Sequence, residues 1–182
     1  MSEMTVRQIN NLVAVLGKMK QLKRNGWRKR NVKNSESDAD HSFSVAMLAM
    51  LLAPSALDKE KCLKMALIHD LPEIMCGDFV PGEIEAAEKA KLEADAMQQI
   101  VKKVGVPELG ELFAEFEARQ TPEAQFVWAL DRLDNVLTAK FYEEQQDIAL
   151  KSEFAASAYP RIDALEPECK ETLLNVLKAL DQ

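Results

Sequence analysis

Two histidines are the only imidazole groups in the chain, and each stands directly beside an acidic residue. His69 precedes Asp70 after the apolar run 65–68, and His41 follows Asp40. Burying imidazole and carboxylate groups is costly unless they are paired or coordinate a metal ion. Histidines combined with carboxylates suit a divalent ion such as Mn, Fe, Co or Zn. The pattern therefore indicates a metal centre, while hydrogen-bonded core histidines are the alternative interpretation.

More acidic residues follow the His69–Asp70 pair. Glu73 comes four residues after His69, which is one helical turn, and Asp78 comes soon afterwards. Pro72 lies within this stretch and predicts that the preceding helix ends or kinks, because proline lacks a backbone donor. Such a break allows the side chains of adjacent residues to point towards the same position. With only two histidines, a second metal ion would depend mostly on carboxylates such as Glu73 and Asp78.

A later segment, VWALDRLDNVLTAKFY, offers two further carboxylates at helical spacing, Asp131 and Asp134. They lie on or beside a stripe of polar and aromatic residues that adjoins an apolar stripe. Periodicity does not choose between them. Either is also compatible with a surface position paired with Arg132 or Lys140.

The elements that must position these groups are helical nearly throughout, because no β-branched alternation or hairpin signal occurs. Ser37 and Asp40 form a capping-box pattern that predicts a helix start near Asp38, and Thr121 with Pro122 predicts another start. We predict helices over about 5–24, 38–53, 58–71, 86–103, 108–118, 122–149 and 166–180. The fold expected is all-α, one domain over residues 1–182.

Composition narrows the class of protein. No apolar run approaches the ~20 residues of a membrane span. Three cysteines without CxxC spacing suit reduced thiols in the cytosol and argue against a disulfide framework or a thiolate zinc site. Residues 1–33 hold nine Lys or Arg and one acid, whereas the remaining 149 hold 14 basic and 29 acidic residues. A basic segment of this kind can hold phosphate or form a solvated surface.

The order H…HD…D resembles the HD superfamily of metal-dependent phosphohydrolases. More specific are the stretches GWRKRNV, ESDADHSFSVAMLA, ALIHDLPEIMCGDFVP and TPEAQFVWALDRLDNVLTA, which follow in that order. Together they resemble the branch of HD proteins that includes 5′-deoxynucleotidases acting on deoxynucleoside monophosphates. The resemblance covers roughly residues 10–150. It implies a compact HD-domain helical bundle with its metal site in that core.

The resemblance also implies roles for individual residues. Four residues match the metal ligands of the family: His41, His69, Asp70 and Asp131. Glu73 and Asp78 match two acidic positions near the reacting phosphate, as acid/base groups or as ligands of a second ion. Trp27 matches an aromatic residue of the substrate pocket. Gly26 precedes Trp27 where bacterial members have Arg, so Arg24 and Arg28 are both candidates for binding the phosphate.

The function implied is hydrolysis of deoxynucleoside or nucleoside 5′-monophosphates by water activated on a divalent ion, either Mn, Co, Fe, Mg or Zn. Glu73 is expected to guide the proton of that water, and Asp78 to protonate the leaving 5′-oxygen or orient the sugar. The expected partner is a small-molecule nucleotide, and neither a membrane nor a nucleic acid is expected to bind. The expected location is cytoplasmic, and a homodimer is possible. Two alternatives stay open: another HD phosphohydrolase acting on triphosphates or cyclic nucleotides, and a non-enzymatic nucleic-acid-binding or regulatory module using residues 18–33.

Overall fold

The computed structural model describes residues 4–180, and within that range it contains ten α-helices and no β-strand. Lys23 and Ser37 form an isolated antiparallel β-bridge within these residues. The helices are α1 Val6–Gln21, α2 Asn25–Arg28, α3 Asp38–Leu52, α4 Lys59–Ile68, α5 Glu73–Cys76, α6 Ala86–Val104, α7 Glu108–Ala118, α8 Pro122–Gln145, α9 Lys151–Asp163 and α10 Pro167–Ala179. The all-α prediction is confirmed.

Helix starts agree with the sequence prediction more closely than helix ends do. The first helix ends at Gln21 instead of continuing to about residue 24, and α8 ends at Gln145 instead of near 149. The stretch 151–163, for which the pattern was weak, forms α9 with Pro160 inside it. The short helices α2 and α5 were not predicted. Residues 1–3 and 181–182, which the single-domain prediction includes, lie outside the described residues.

Local capping explains where α3 and α8 begin. The Ser37 backbone N–H donates to Asp40 Oδ2 at 2.8 Å, and the Asp40 backbone N–H donates back to Ser37 Oγ at 3.2 Å. This reciprocal pair is the capping box that the sequence predicts. Thr121 caps α8 by accepting from the Ala124 backbone N–H, with Pro122 at the first helical position. Both starts follow from residues within three positions of each other.

Contacts divide the chain into two compact units. The first comprises the described residues up to Ser42 together with Ile68–Glu117, and in it α1, α5 and α6 pack on one another. Its core consists of the buried residues Val15, Met19, Ile68, Leu71, Met97, Ile100, Val104 and Phe113. The apolar spacing predicted α1 correctly but does not mark its buried face, because Ile9, Val13 and Leu16 are exposed.

The second unit comprises Phe43–Leu67 and the described residues from Ala118 onward. In it α8, α9 and α10 pack on one another. Phe126, Leu130 and Leu133 of α8 are fully buried, as are Ile162 of α9 and Leu173 of α10. The apolar face of α10 thus contributes to the core of its own unit. No helix among residues 4–180 is long and apolar enough to cross a bilayer.

Candidate metal centre

His41 is fixed one turn into α3 and is fully buried. Its backbone N–H donates to Ser37 O at 3.0 Å, so the capped start of the helix sets the position of the imidazole. The Nε2 atom of His41 lies 3.3 Å from the Nε2 atom of His69. Two imidazole nitrogens that face each other in a protein interior form the first half of a metal-binding donor set.

The chain break after α4 places His69 and Asp70 side by side at this point. The helix ends at Ile68, a turn follows, and Pro72 precedes α5. The Leu71 backbone N–H donates to Ile68 O and the Glu73 backbone N–H donates to Asp70 O, so tight turns replace the helical ladder. The predicted break before Pro72 is confirmed, although the helix ends at Ile68 and not near residue 71. Because of that break, two adjacent residues direct their side chains to one space.

The Asp70 carboxylate completes a convergent group with the two imidazoles. Its Oδ2 lies 3.7 Å from His41 Nε2, and its Oδ1 lies 3.4 Å from His69 Nε2. The Phe116 ring meets the His69 ring edge-on at 5.5 Å between centroids, which limits the rotation of that imidazole. Two imidazole nitrogens and a carboxylate that converge within 3.3–3.7 Å fit a divalent ion.

Arg24 is a cation that contacts this group directly. Its Nη1 donates to Asp70 Oδ2 at 2.9 Å, and its Nε lies 3.8 Å from Glu36 Oε1. The indole N–H of Trp27 also donates to Glu36 Oε1, at 2.8 Å. Trp27 is only 1% exposed, so its ring packs against protein. The predicted contact of Trp27 with substrate stays a prediction.

Arg28 is oriented differently. Its side chain is exposed and donates to Asn25 Oδ1 at 3.1 Å. Of the two predicted phosphate ligands, Arg24 is therefore the one that the structure places against the HD pair.

Several other basic side chains of the segment 18–33 form hydrogen bonds or ion pairs within the first unit. Lys23 Nζ donates to Ser35 O at 2.8 Å, Arg30 donates to Gly26 O at 2.7 Å, and Lys29 forms an ion pair with Glu83. Side chains engaged in this way are less available to a nucleic-acid backbone. These contacts disfavour the nucleic-acid-binding interpretation.

Glu73 and Asp78 lie in the same unit, at the first residue of α5 and just beyond its end. Burial, followed by the negative charges of Asp70 and Asp78, raises the pKa of Glu73 well above its ordinary value. Lys89 of α6 approaches it, with Nζ 3.7 Å from Glu73 Oε1 and 2.6 Å from Glu93 Oε1. Asp78 O accepts from the Asn25 side-chain amide at 2.6 Å.

Asp38 was not identified from the sequence as a site residue, although it lies close to these acids. It is the first residue of α3 and is fully buried. One oxygen each from Asp38, Glu73 and Asp78 lies within 4.8 Å of the others. Its position three residues before His41 on the same helix was the available signal. Lys89, in contrast, lies on the following helix, α6, and no local sequence pattern connects it with the His69–Asp70 pair.

Asp131, the fourth predicted metal ligand, belongs to the second unit and is 7% exposed. Its Oδ2 accepts from Arg161 Nη1 at 3.2 Å and lies 3.3 Å from Arg132 Nε. The Asn135 amide donates to its backbone oxygen at 2.9 Å. Asp134 is buried as well, so burial does not separate the two acids. The choice of Asp131 still depends on the motif and stays a proposal.

A comparison with protein families decides the family. The HD domain family matches this chain over residues 16–171, which is most of its length. The chain belongs to the HD-domain family. The predicted HD resemblance is thereby confirmed, and the all-α fold is the fold of an HD protein.

Curated HD proteins are similar to this chain over most of their length. Human 5′-deoxynucleotidase HDDC2 is 36% identical over 142 residues, which cover 76% of this chain and 70% of the human protein. The 5′-deoxynucleotidase HDDC2 of Dictyostelium discoideum is 39% identical over 144 residues, covering 72% of this chain and 75% of that protein. The predicted resemblance to the 5′-deoxynucleotidase branch is confirmed.

A solved structure agrees with the fold. A conserved hypothetical protein from Pyrococcus furiosus has a TM-score of 0.80 at 33% identity, covering 94% of this chain and 98% of that one. The similarity extends over both compact units of the chain, since nearly all of its residues are matched.

Proposed function

We propose that this HD protein is a metal-dependent 5′-deoxynucleotidase, which hydrolyses deoxynucleoside 5′-monophosphates to nucleoside and phosphate. The observation that carries the proposal is the convergence of His41 Nε2, His69 Nε2 and the Asp70 carboxylate within 3.3–3.7 Å. Curated relatives of similar sequence are named 5′-deoxynucleotidases. The nucleotide is the proposed partner, and the proposal includes no membrane or nucleic acid.

The proposed metal ligands are His41, His69, Asp70 and Asp131. A bound divalent ion supplies a Lewis acid that makes water nucleophilic near neutral pH and offsets charge on the phosphoryl oxygens. The set of nitrogen and oxygen donors accepts Mn, Co, Fe, Mg or Zn. Burial of both histidines keeps competing water from the imidazole nitrogens and holds the donors in place before an ion arrives.

Arg24 is the proposed phosphate-binding cation, because its guanidinium already lies against Asp70. A fixed positive charge beside the reacting centre stabilises the phosphoryl charge that develops during transfer. Arg28 is the second candidate, on the exposed side of α2. Trp27 is proposed to shape the substrate pocket, and its indole N–H is held in place by a hydrogen bond to Glu36.

Glu73 and Asp78 are proposed to act on protons and on the leaving group. Glu73 accepts the proton of the attacking water, and Asp78 protonates the leaving 5′-oxygen or orients the sugar. Ligation of a second ion is the other role open to this pair. Glu73 is buried, and one oxygen of the half-buried Asp78 lies within 4.8 Å of it, which supports a position of both acids close to the reacting phosphate.

The direct test is phosphate release from a panel of deoxyribo- and ribonucleoside mono-, di- and triphosphates. Metal-stripped protein is refilled with Mn, Co, Fe, Mg or Zn in turn. The proposal expects metal-dependent release from deoxynucleoside monophosphates above all other substrates. Release mainly from triphosphates would favour another HD phosphohydrolase, and no release with any ion from folded protein would refute the proposal.

A cytoplasmic location is also proposed. Cys62, Cys76 and Cys169 are all free thiols, and two of them are buried. Unpaired cysteines are typical of a reducing compartment. Fractionation of the source cells, followed by detection of the protein with an antibody, checks the location.

A homodimer is proposed through the exposed apolar face of α1. Val6, Ile9, Val13 and Leu16 of this helix are 44–75% exposed at helical spacing. A second copy of the chain would remove this face from water. Light scattering coupled to size exclusion gives the mass, and Val13→Glu is expected to convert a dimer into a monomer.

A further inference from the structure

A groove of about 720 Å³ lies between α1 and α6 in the first unit. Its lining consists of three cations and three amides, and no acid of the described residues belongs to it. The lining residues are Arg7, Gln8 and Asn11 of α1 and Gln99, Lys102 and Lys103 of α6. We call it the basic groove. Because the whole chain carries a net charge of −7, this groove is a local exception on an acidic protein.

The cations of the basic groove are not neutralised by neighbouring acids. Arg7, Lys102 and Lys103 are exposed, and none of them forms an ion pair or a side-chain hydrogen bond with another residue of the described range 4–180. Like charges that share one concave surface repel each other and attract an anion. The basic groove therefore offers positive charge that the chain itself does not use.

The end of α6 is prepared for an anion in one further respect. The last carbonyl groups of a helix carry partial negative charge and ordinarily repel anions. Here the Asn11 side-chain amide donates to Lys103 O at 2.6 Å, and the Gly105 backbone N–H donates to Val101 O at 2.7 Å. Two of these carbonyl oxygens are thereby engaged, so they oppose an anion in the groove less strongly.

The amide of Gln8 is held with its nitrogen available. Its Oε1 atom accepts from both the backbone N–H and the hydroxyl of Thr5, each at 2.8 Å. Its Nε2 atom packs against Gly105, where φ is +75° and where a Cβ atom would overlap that nitrogen. Glycine at this position thus allows the start of α1 to approach the end of α6 closely, and the group that Gln8 has left to offer is a donor.

We propose that the basic groove binds the polyphosphate chain of a nucleoside di- or triphosphate, at a site separate from the metal centre. A monophosphate carries about two negative charges at neutral pH and would leave one of the three cations uncompensated. A groove of this volume holds a ligand larger than a single phosphate. No aromatic residue lines it, so the groove should recognise the phosphate chain and not the base.

The position of the basic groove keeps it apart from the proposed phosphate ligand Arg24. Asn11 lies ten residues before the end of α1 at Gln21, which is about 15 Å along the helix axis, and Arg24 comes after that end. The two helices nevertheless share one core with Ile68 and Leu71, which flank the His69–Asp70 pair. A ligand that links α1 to α6 should therefore stabilise the unit that holds this pair.

The experiment is calorimetric titration of metal-stripped full-length protein, in chelator, with inorganic tripolyphosphate and with ATP. The double variant Lys102→Gln/Lys103→Gln removes two cations of the groove. Lys18→Gln/Lys20→Gln is the matched control, because these exposed lysines stand in the last turn of α1 as the other pair stands in the last turn of α6. Arg24→Gln tests whether the ligand occupies the metal centre instead.

Wild type, the Lys18/Lys20 control and Arg24→Gln are expected to bind both probes with the same affinity. The Lys102/Lys103 variant should bind them at least ~10-fold more weakly, because charge-assisted contacts to phosphate are lost. Lys102→Arg/Lys103→Arg keeps the charge and should retain binding. ATP, GTP and dATP should bind alike, added salt should weaken all of them, and tripolyphosphate should raise the Tm of wild type.

Three results would overturn the inference. The first is no binding of either probe, and the second is equal weakening in the two double variants, which would indicate unspecific charge attraction. The third is loss of binding in Arg24→Gln, which would place the ligand at the metal centre. A single-stranded oligonucleotide is titrated as well, and tighter binding of it than of ATP would assign the groove to nucleic acid. The inference goes beyond the proposed function, and its failure leaves phosphate release from monophosphates untouched.

Discussion

At the scale of single residues, a small number of side chains makes the site. The two histidines of the chain meet through their Nε2 atoms at 3.3 Å, and Asp70 reaches both. Arg24 bonds to the same carboxylate. A scarce residue type used only at one place indicates that the place has a function. The costly polar groups at the end of the apolar helix α4 thus form one convergent donor set with His41.

The choice between Arg24 and Arg28 gives a prediction at this scale. Arg24→Gln removes the guanidinium that contacts Asp70, and it should lower kcat/KM for a deoxynucleoside monophosphate by ~10²-fold. Arg28→Gln removes an exposed group bonded to Asn25 and should have a much smaller effect. Steady-state phosphate release measures both. A larger loss in Arg28→Gln than in Arg24→Gln would assign the phosphate to Arg28.

At the scale of elements, helix ends decide where the ligands stand. The capped start of α3 sets His41, and the Pro72 break after α4 sets His69 and Asp70. Neither the capping box nor the helix break takes part in the reaction, but each fixes the position of donor atoms for the metal ion. Changes at these ends should therefore alter stability and metal affinity together.

The capping box of α3 is testable by pH. The hydrogen bond from the Ser37 backbone N–H lowers the pKa of Asp40 below its usual value of 3.8. A lowered pKa in the folded state means that the stabilisation is present above about pH 4 and is lost as pH falls further. Asp40→Ala should cost ~1 kcal/mol of unfolding free energy near neutral pH.

Urea denaturation above and below that pH measures the effect. The difference between Asp40→Ala and wild type should shrink as the solution becomes more acidic, whereas Asp95→Ala, on an exposed part of α6, should show little difference throughout. A cost that stays constant across the acid range would show that the carboxylate charge of Asp40 does not contribute.

The contact between helix α9 and Asp131 leads to a second prediction at this scale. Its Arg161 donates to Asp131 Oδ2 and to Trp128 O, and its guanidinium lies 3.9 Å from the centre of the Trp128 ring. If Asp131 is a metal ligand, Arg161 orients it from behind. Arg161→Met should weaken Mn²⁺ binding at the histidine site by ~10-fold or more.

Arg119 serves as the control for Arg161. Its guanidinium also lies over the Trp128 ring, 4.6 Å from the ring centre, so Arg119→Met removes a stacking contact of the same kind. Titration of Mn²⁺ gives both affinities. Equal losses in the two variants would show that packing on Trp128, and not orientation of Asp131, carries the effect.

At the scale of the whole molecule, features that depend on neighbouring residues could be predicted from the sequence. Contacts between residues far apart in the chain could not. The capping residues of α3 and α8 and the break at Pro72 were predicted because each acts over a few positions. The bond from Arg24 to Asp70 joins residues 46 positions apart, and the approach of Lys89 to Glu73 depends on how α6 packs. No local pattern contains that information.

The helix α1 shows the same limit for packing. Its apolar residues were predicted to form a helix, and they do. Val15 and Met19 are buried in the first unit, whereas Ile9, Val13 and Leu16 face outward. A stripe at helical spacing identifies the helix, but a helix with apolar residues on more than one side does not reveal which side the rest of the chain covers.

Metal should also control the stability of the folded chain. A ligand that binds only the folded state raises the Tm in proportion to the logarithm of its concentration. Removing divalent ions leaves the buried acids around His41 and His69 uncompensated, so chelation should lower the Tm and refilling with Mn²⁺ should restore it. Differential scanning fluorimetry across a Mn²⁺ series measures the shift. An unchanged Tm at every concentration would contradict metal binding at these residues.

The central claim is that the histidine–aspartate group holds an ion that hydrolysis requires. The most direct measurement compares wild type and His69→Ala, both folded by circular dichroism. It records bound metal by mass spectrometry and phosphate release from a deoxynucleoside monophosphate in the same preparations. Loss of one ion per chain together with loss of release is the predicted result. Undiminished release by His69→Ala would contradict the account.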